Sequence, residues 1–207
     1  MKTIAELLIE KEVIKTNFQN PFRGTSGILL PIYGDCREVN SIVDLREKII
    51  EKFLEKISTK KWEFDAIAGT ATGGISWAAF VAQKLRKPLL YVRPKKKEHG
   101  MGKQVEGRGK NGWRILLVED MFSTAGSAVV SAQALRRELS AIVENVLAIF
   151  SWDLPKMAIN SNNDNLNFVS LASFSDITDS LLKLGKISEK EFKKLQEWNA
   201  TPENFSI

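Results

Sequence analysis

Only one residue of the 207 is cysteine, Cys36, and only one is histidine, His99. A single thiol forms no disulfide within its own chain, so a reducing compartment such as the cytoplasm is the expected setting. No apolar run approaches the roughly 20 residues that a membrane-spanning helix needs. The opening MKTIAELLIEKEV has the spacing of an amphipathic helix and not the build of a secretory signal. No internal repeat, low-complexity linker or helix-turn-helix pattern stands out. These absences point to a soluble globular chain without a membrane partner.

What is present is an even mix, 43% hydrophobic and 27% charged, with a net charge of +5. The length suits one sizeable α/β domain. Much of the positive charge clusters at Lys95, Lys96, Lys97, Lys103, Arg108 and Lys110. That cluster permits an anionic partner, either nucleic acid or a small polyphosphate, and composition does not choose between them.

Along the chain, residues 1–15 read as a short helix and 20–35 as a turn-rich connector with short strands. Asn40 is positioned to cap a helix with Val43, Ile49, Ile50, Phe53, Leu54 and Ile57 on its apolar face. Strands and helices then alternate. Strands are expected at 64–69, 88–93, 114–120, within 142–152 and at 167–174, with helices at 75–86 and 127–139. Ser188 and Glu191 form a capping-box start for a last helix. Strands separated by helices of this length predict a parallel sheet covered on both faces. In such sheets ligands bind beyond the carboxyl ends of the strands.

Three loops leave those ends. The first, GTATGG (69–74), exposes backbone N–H groups before a helix; it fits an anion cradle and equally a tight turn that merely needs glycine. The second, RPKKKEHGMGKQVEGRGKNG (93–112), is unusually long for a compact domain. Read alone it is a solvated basic loop, although a mobile cationic arm carrying His99 also fits. The third is RILLVEDMFSTAGSAVV, where a buried strand runs into Glu119 and Asp120 and then into Ser123, Thr124, Ala125, Gly126 and Ser127. Paired carboxylates suit ribose hydroxyls or the shell of a magnesium ion. Hydroxyls and free N–H groups at a helix start suit a phosphate. Two solvent-facing acids and an ordinary cap leave the contiguity of these parts unexplained.

The stretch LLVEDMFSTAGSA resembles the phosphoribosyl pyrophosphate (PRPP) signature of type I phosphoribosyltransferases. YVRPKKKEHGMGKQVEG, GTATGGI, NPFRGTSGILLPIYGDCR, AIFSWDLPKM and ISEKEFKKLQEW are similar, in order, to segments of the orotate-using branch of that family. The resemblance implies the type I phosphoribosyltransferase fold, a mostly parallel central sheet flanked by helices. One domain would span 1–207, with residues 1–40 and part of the C-terminus forming a hood over the base site. It implies a magnesium-dependent enzyme that makes orotidine 5′-monophosphate and pyrophosphate from orotate and PRPP, working as a homodimer without nucleic acid. By position, Lys97, His99 and Asp120 would be catalytic. Arg93, Lys97, His99 and the run Glu119, Asp120, Met121, Phe122, Ser123, Thr124, Ala125, Gly126, Ser127 would bind PRPP. Thr70, Ala71, Thr72, Gly73 and Gly74 would face pyrophosphate, while Thr25, Ser26, Tyr33 and Ser123 would contact orotate. Magnesium would be held mainly by PRPP, not by direct protein ligands.

The resemblance departs from the family pattern at three places. Leu29 and Leu30 stand where a basic residue and a serine are common. Ala125 replaces a usual glycine, a mild change if its φ is negative. Ser151 and Trp152 stand where one family variant carries an arginine. With the basic residue missing, the hydroxyls of Thr25 and Ser26 and the backbone N–H groups of 24–28 become the chief expected donors to the orotate carboxylate, with Arg37 a secondary candidate. Two other readings stand beside this one: a phosphoribosyltransferase for another base, and a PRPP-sensing regulator that binds nucleic acid without turnover.

Overall fold

The computed structural model describes residues 2–23, 29–95 and 102–202. The chain opens with helix α1 (Ile4–Glu10), which Thr3 and Glu6 close in a reciprocal capping box. It is shorter than the sequence pattern suggests. Glu12 takes a positive φ of 56°, and Ile14 begins strand β1 (Ile14–Thr16). Strands β2 (Phe22–Arg23) and β3 (Leu29–Leu30) pair with each other, and β4 (Ile32–Gly34) runs antiparallel to β1.

A 3-10 turn follows at Cys36–Ser41, capped by the Asp35 side chain. Helix α2 (Val43–Thr59) then starts after Ile42 with no side-chain cap. Asn40 is therefore not the cap that its position suggested. It lies inside the 3-10 turn, where its carbonyl accepts from Arg46 Nη1 at 2.8 Å.

The central sheet contains β5 (Ala66–Thr70), β6 (Leu89–Val92), β7 (Val105–Glu106), β8 (Ile115–Val118), β9 (Met121–Phe122), β10 (Asn145–Ser151) and β11 (Asn167–Ala172). Its order is β11-β10-β8-β5-β6-β7, with β9 also on β10, and all pairings are parallel except β6 with β7. The helices are α3 (Gly73–Leu85), α4 (Gly126–Leu139), α5 (Pro155–Asp164), α6 (Phe174–Lys183) and α7 (Glu189–Ala200).

Alternation along the strands divides the core in two, as a period of two requires. Leu116 and Val118 of β8, with Leu147 and Ile149 of β10, pack with Leu8, Ile49, Phe53, Trp77 and Trp198. Ile115, Leu117, Val146 and Ala148 face the other way, toward Ala128, Ala132 and Leu135 of α4. Every residue of β5 and β8 is buried, so the sheet is covered on both faces at its centre.

Two further sequence expectations need correcting. The basic segment 93–112 is not one open loop, because Val105 and Glu106 return antiparallel along Val92 and Tyr91. The expected strand at 167–174 stops at Ala172, and Phe174 instead opens α6 behind a Ser173–Asp176 capping box.

Candidate active site

The acid pair fills the gap between β8 and β9 without shifting the register against β10. β10 pairs with Leu117 and Val118 and then, in unbroken register, with Met121 and Phe122. Between them Glu119 N donates to Leu147 O at 2.9 Å, and Asp120 O accepts from Ile149 N at 3.1 Å. What ends is the neighbour: β5 stops at Thr70 and turns through Ala71 and Thr72 into α3. Beyond Val118 one side of the strand therefore meets the start of a helix in place of another strand. A Cβ placed on Gly73 would collide with the Asp120 carboxyl group, and one on Gly74 with the Val118 carbonyl. Glycine is needed here for close approach, the general reason for its use where backbone passes other groups.

This contact buries both acids. Glu119 is 6% and Asp120 9% exposed. Burial pushes Glu119 well above the ordinary carboxylate range, and the neighbouring charge of Asp120 adds to the effect. Burial raises Asp120 as well, opposed by its hydrogen bond from Met121 N at 3.0 Å and by the charge of Arg37. At the end of β5, the Thr70 hydroxyl is buried, makes no close hydrogen bond among the described residues, and lies near enough to Glu119 to favour its charged form. The arrangement is a pair of costly carboxylates with a buried hydroxyl beside them at the C-terminal end of the sheet. Such groups gain from a ligand that donates hydrogen bonds, as a sugar diol does.

The loop after β9 leads into α4 with no side-chain cap, so the first N–H groups of that helix are left for a ligand. Ser123 and Ser127 are exposed beside them, and Asn160 Nδ2 pins the loop by donating to Thr124 O at 2.6 Å. Ala125 holds a φ of 58° and ψ of 14°. The substitution of alanine for the usual glycine is thus not the mild change expected for a negative φ, since the left-handed region is where a Cβ is unfavourable.

Next to this loop lies a cavity of about 790 Å³. Its walls come from four distant segments: Leu30 to Gly34, Met121 to Thr124, Trp152 to Lys156, and Trp198 to Pro202. Tyr33 lines it and stacks obliquely on Phe22 at 5.4 Å. Trp152 and Trp198 meet edge to face at 5.6 Å. Of the residues expected to hold the base, Tyr33 and Ser123 both face this cavity, whereas Thr25 and Ser26 lie outside the described residues.

Arg37 is engaged elsewhere. Its Nε and Nη2 bind the Asp35 carboxylate at 2.7 and 2.6 Å, which removes it as a free countercharge. The cavity's cation is Lys156, in the first turn of α5, with no ion pair among the described residues. Sequence reasoning passed over it. Pro155 followed by Lys156 just after a buried strand is the signal that marks it, because proline at the first helical position fixes where the helix and its lysine begin.

Arg93 leaves β6 with its guanidinium 3.8 Å from Glu106. Lys97 and His99 lie outside the described residues.

Residues 38–162 match the model of the phosphoribosyl transferase domain. The orotate phosphoribosyltransferase of Coxiella burnetii is 42% identical over 202 residues, spanning 98% of this chain and 96% of the relative. The chain belongs to the orotate phosphoribosyltransferase family. The Enterococcus faecalis member is 41% identical, covering 99% of this chain and 97% of its own. In three dimensions the family's Aeropyrum pernix structure superposes with a TM-score of 0.76 at 28% identity, covering 90% of this chain and all of that one. The fold is the type I phosphoribosyltransferase fold expected from the sequence.

Proposed function

We propose that this chain transfers the 5-phosphoribosyl group of PRPP to orotate, releasing orotidine 5′-monophosphate and pyrophosphate in pyrimidine biosynthesis. One observation supports this above the others: the acid pair, the uncapped start of α4 and the cavity meet at one end of the sheet. A ribose held by Glu119 and Asp120, with its 5-phosphate on the α4 N-terminus, presents C1 toward the cavity that takes the base. The base nitrogen forms its bond to C1 as the bond from C1 to the pyrophosphate oxygen breaks. The protein's contribution is alignment of the partners and stabilisation of the leaving charge.

The turn from Thr70 to Gly74 faces that pyrophosphate with the N–H groups that follow Ala71, whose own N–H is held by Val92 O, and Arg93, Lys97 and His99 supply the cationic and proton-donating side chains. His99 suits the second role because its ordinary pKa lies near neutrality. In the cavity, Tyr33 packs against the pyrimidine and Ser123 hydrogen-bonds it. Lys156 provides a charge for the orotate carboxylate that Arg37, bound to Asp35, does not, since a buried unpaired anion is very costly.

Glu119 and Asp120 are hard oxygen donors, but no group of three His, Cys, Asp or Glu is arranged as a metal site among the described residues. That donor set fits a magnesium ion whose main ligands are the substrate's own oxygens. When bound, magnesium neutralises charge on the departing pyrophosphate. The same reading makes the enzyme a cytoplasmic homodimer; among the described residues no helix is long and apolar enough to cross a membrane.

A steady-state assay with PRPP, magnesium and either orotate or uracil tests the reading. Orotate should give the higher kcat/KM. A higher value with uracil would make the chain a phosphoribosyltransferase for another base, and no turnover with any base would favour a PRPP sensor.

A further inference from the structure

Gln104 is one of few polar residues buried among the described residues, 7% exposed, and every polar position of its side chain is used. Its Nε2 donates to the carbonyls of Arg93 at 3.1 Å and Pro94 at 3.4 Å. Its Oε1 accepts from Arg137 Nη2 at 2.7 Å. Its backbone carbonyl accepts from Arg93 N at 3.0 Å. Arg93 is thus bound on both its N–H and its C=O by one residue.

Gln104 is held in turn by Glu138 of α4. That carboxylate accepts from Gln104 N at 3.0 and 3.2 Å and from Val105 N at 3.2 Å, with Arg137 Nη2 at 3.4 Å. Burial works against the charge of Glu138, but these donors together hold its carboxyl below the usual range. The network ties the end of β6 and the start of β7 to a core helix, where the β6–β7 ladder itself has only two register pairs. A two-residue ladder at a sheet edge is weak by itself. A fully satisfied buried polar network, by contrast, specifies a single geometry.

We infer that Gln104 and Glu138 are positioning residues for phosphoribosyl transfer: they fix the backbone of Arg93 and so aim its guanidinium at PRPP. This rests on the reading of Arg93 as a contact to PRPP, and a double-mutant cycle separates the two claims. Arg93→Ala, Gln104→Ala and the combined variant are assayed for KM of PRPP, KM of orotate and kcat, with thermal melts alongside. Gln104→Ala should impair kcat/KM for PRPP about tenfold or more, the scale of lost hydrogen bonds around a charged group. Its orotate KM should stay within about twofold of the parent, and in the Arg93→Ala background its effect should nearly vanish, because groups that act through one another are not additive.

If Arg93→Ala leaves PRPP kinetics unchanged, the assignment of Arg93 fails. If Arg93→Ala impairs the enzyme while Gln104→Ala is silent, or the two effects add in full, the positioning inference is overturned. Should Gln104→Ala not fold, Glu138→Ala runs the same cycle and must show the same non-additivity.

Discussion

Glu119→Gln should make the ligand-free protein more stable and the enzyme worse at binding PRPP. Glu119 is 6% exposed, its nearest charged neighbour is another buried carboxylate, and Arg37 beyond Asp120 is already paired with Asp35. Its folded pKa lies well above the ordinary value of 4.5. A carboxyl with a raised folded pKa binds more protons in the native than in the unfolded state. Its contribution to stability therefore falls as pH rises from the unfolded pKa through the folded one.

Glutamine keeps the shape and removes the charge. The gain near neutral pH should be about 1–3 kcal/mol, the cost of a buried polar group left without adequate partners. For a chain of this size each kcal/mol moves Tm by roughly 2–4 °C. The check is a pair of thermal melts near pH 5 and near pH 8, with and without PRPP. The variant should melt above the parent at the higher pH, with the gap narrowing at the lower, and PRPP should stabilise it far less. A variant that melts below the parent at the higher pH, or whose gain ignores pH, would refute the account of this site as a strained pair of carboxylates awaiting a diol.

Lys156→Met should raise the KM for orotate by about tenfold or more while leaving PRPP binding by calorimetry near the parental value, since one charged hydrogen bond is worth about 1.5–3 kcal/mol. Equal orotate kinetics would return the carboxylate to residues 24–28. Lys97→Ala should slow turnover far more than it weakens orotate binding, because charge on the leaving group grows only as the bond breaks; matched losses in both would contradict a transition-state role. Ala125→Gly should stabilise the protein by roughly 1 kcal/mol in urea titrations, as relief of a Cβ at positive φ. A loss of stability there would mean that the alanine methyl, buried among the α4 contacts, outweighs its backbone cost.

The parts of the site that the sequence displays are those made by consecutive residues. Ile115 to Ser127 pass from strand to loop to helix without interruption, so acids, hydroxyls and free N–H groups appear side by side in the chain as they do in space. The sheet was legible for a related reason: β5 and β8 are buried along their whole length and therefore read as unbroken apolar runs. Helix α5 offered no such pattern, because none of its residues is fully buried and a helix that meets the core through a partly buried residue such as Met157 shows little apolar period. Its lysine was overlooked together with the helix.

The base cavity was illegible for a different reason. Its walls are drawn from residues near 30, 121, 152 and 198, and only the closure of the fold brings them together. Charge in the sequence also does not reveal whether it is free. Arg37 and Lys156 are each one cation near a candidate site, yet Asp35, two residues before Arg37, closes a bidentate pair with it inside the same turn. An arginine so held has little remaining attraction for a substrate carboxylate, whereas Lys156 is set in the cavity wall without an ion pair among the described residues and is left to meet one. The loss of a basic residue at Leu29 and Leu30 therefore need not abolish recognition of an anionic base. The same cavity can receive that charge from the opposite wall, provided α5 begins where Pro155 sets it.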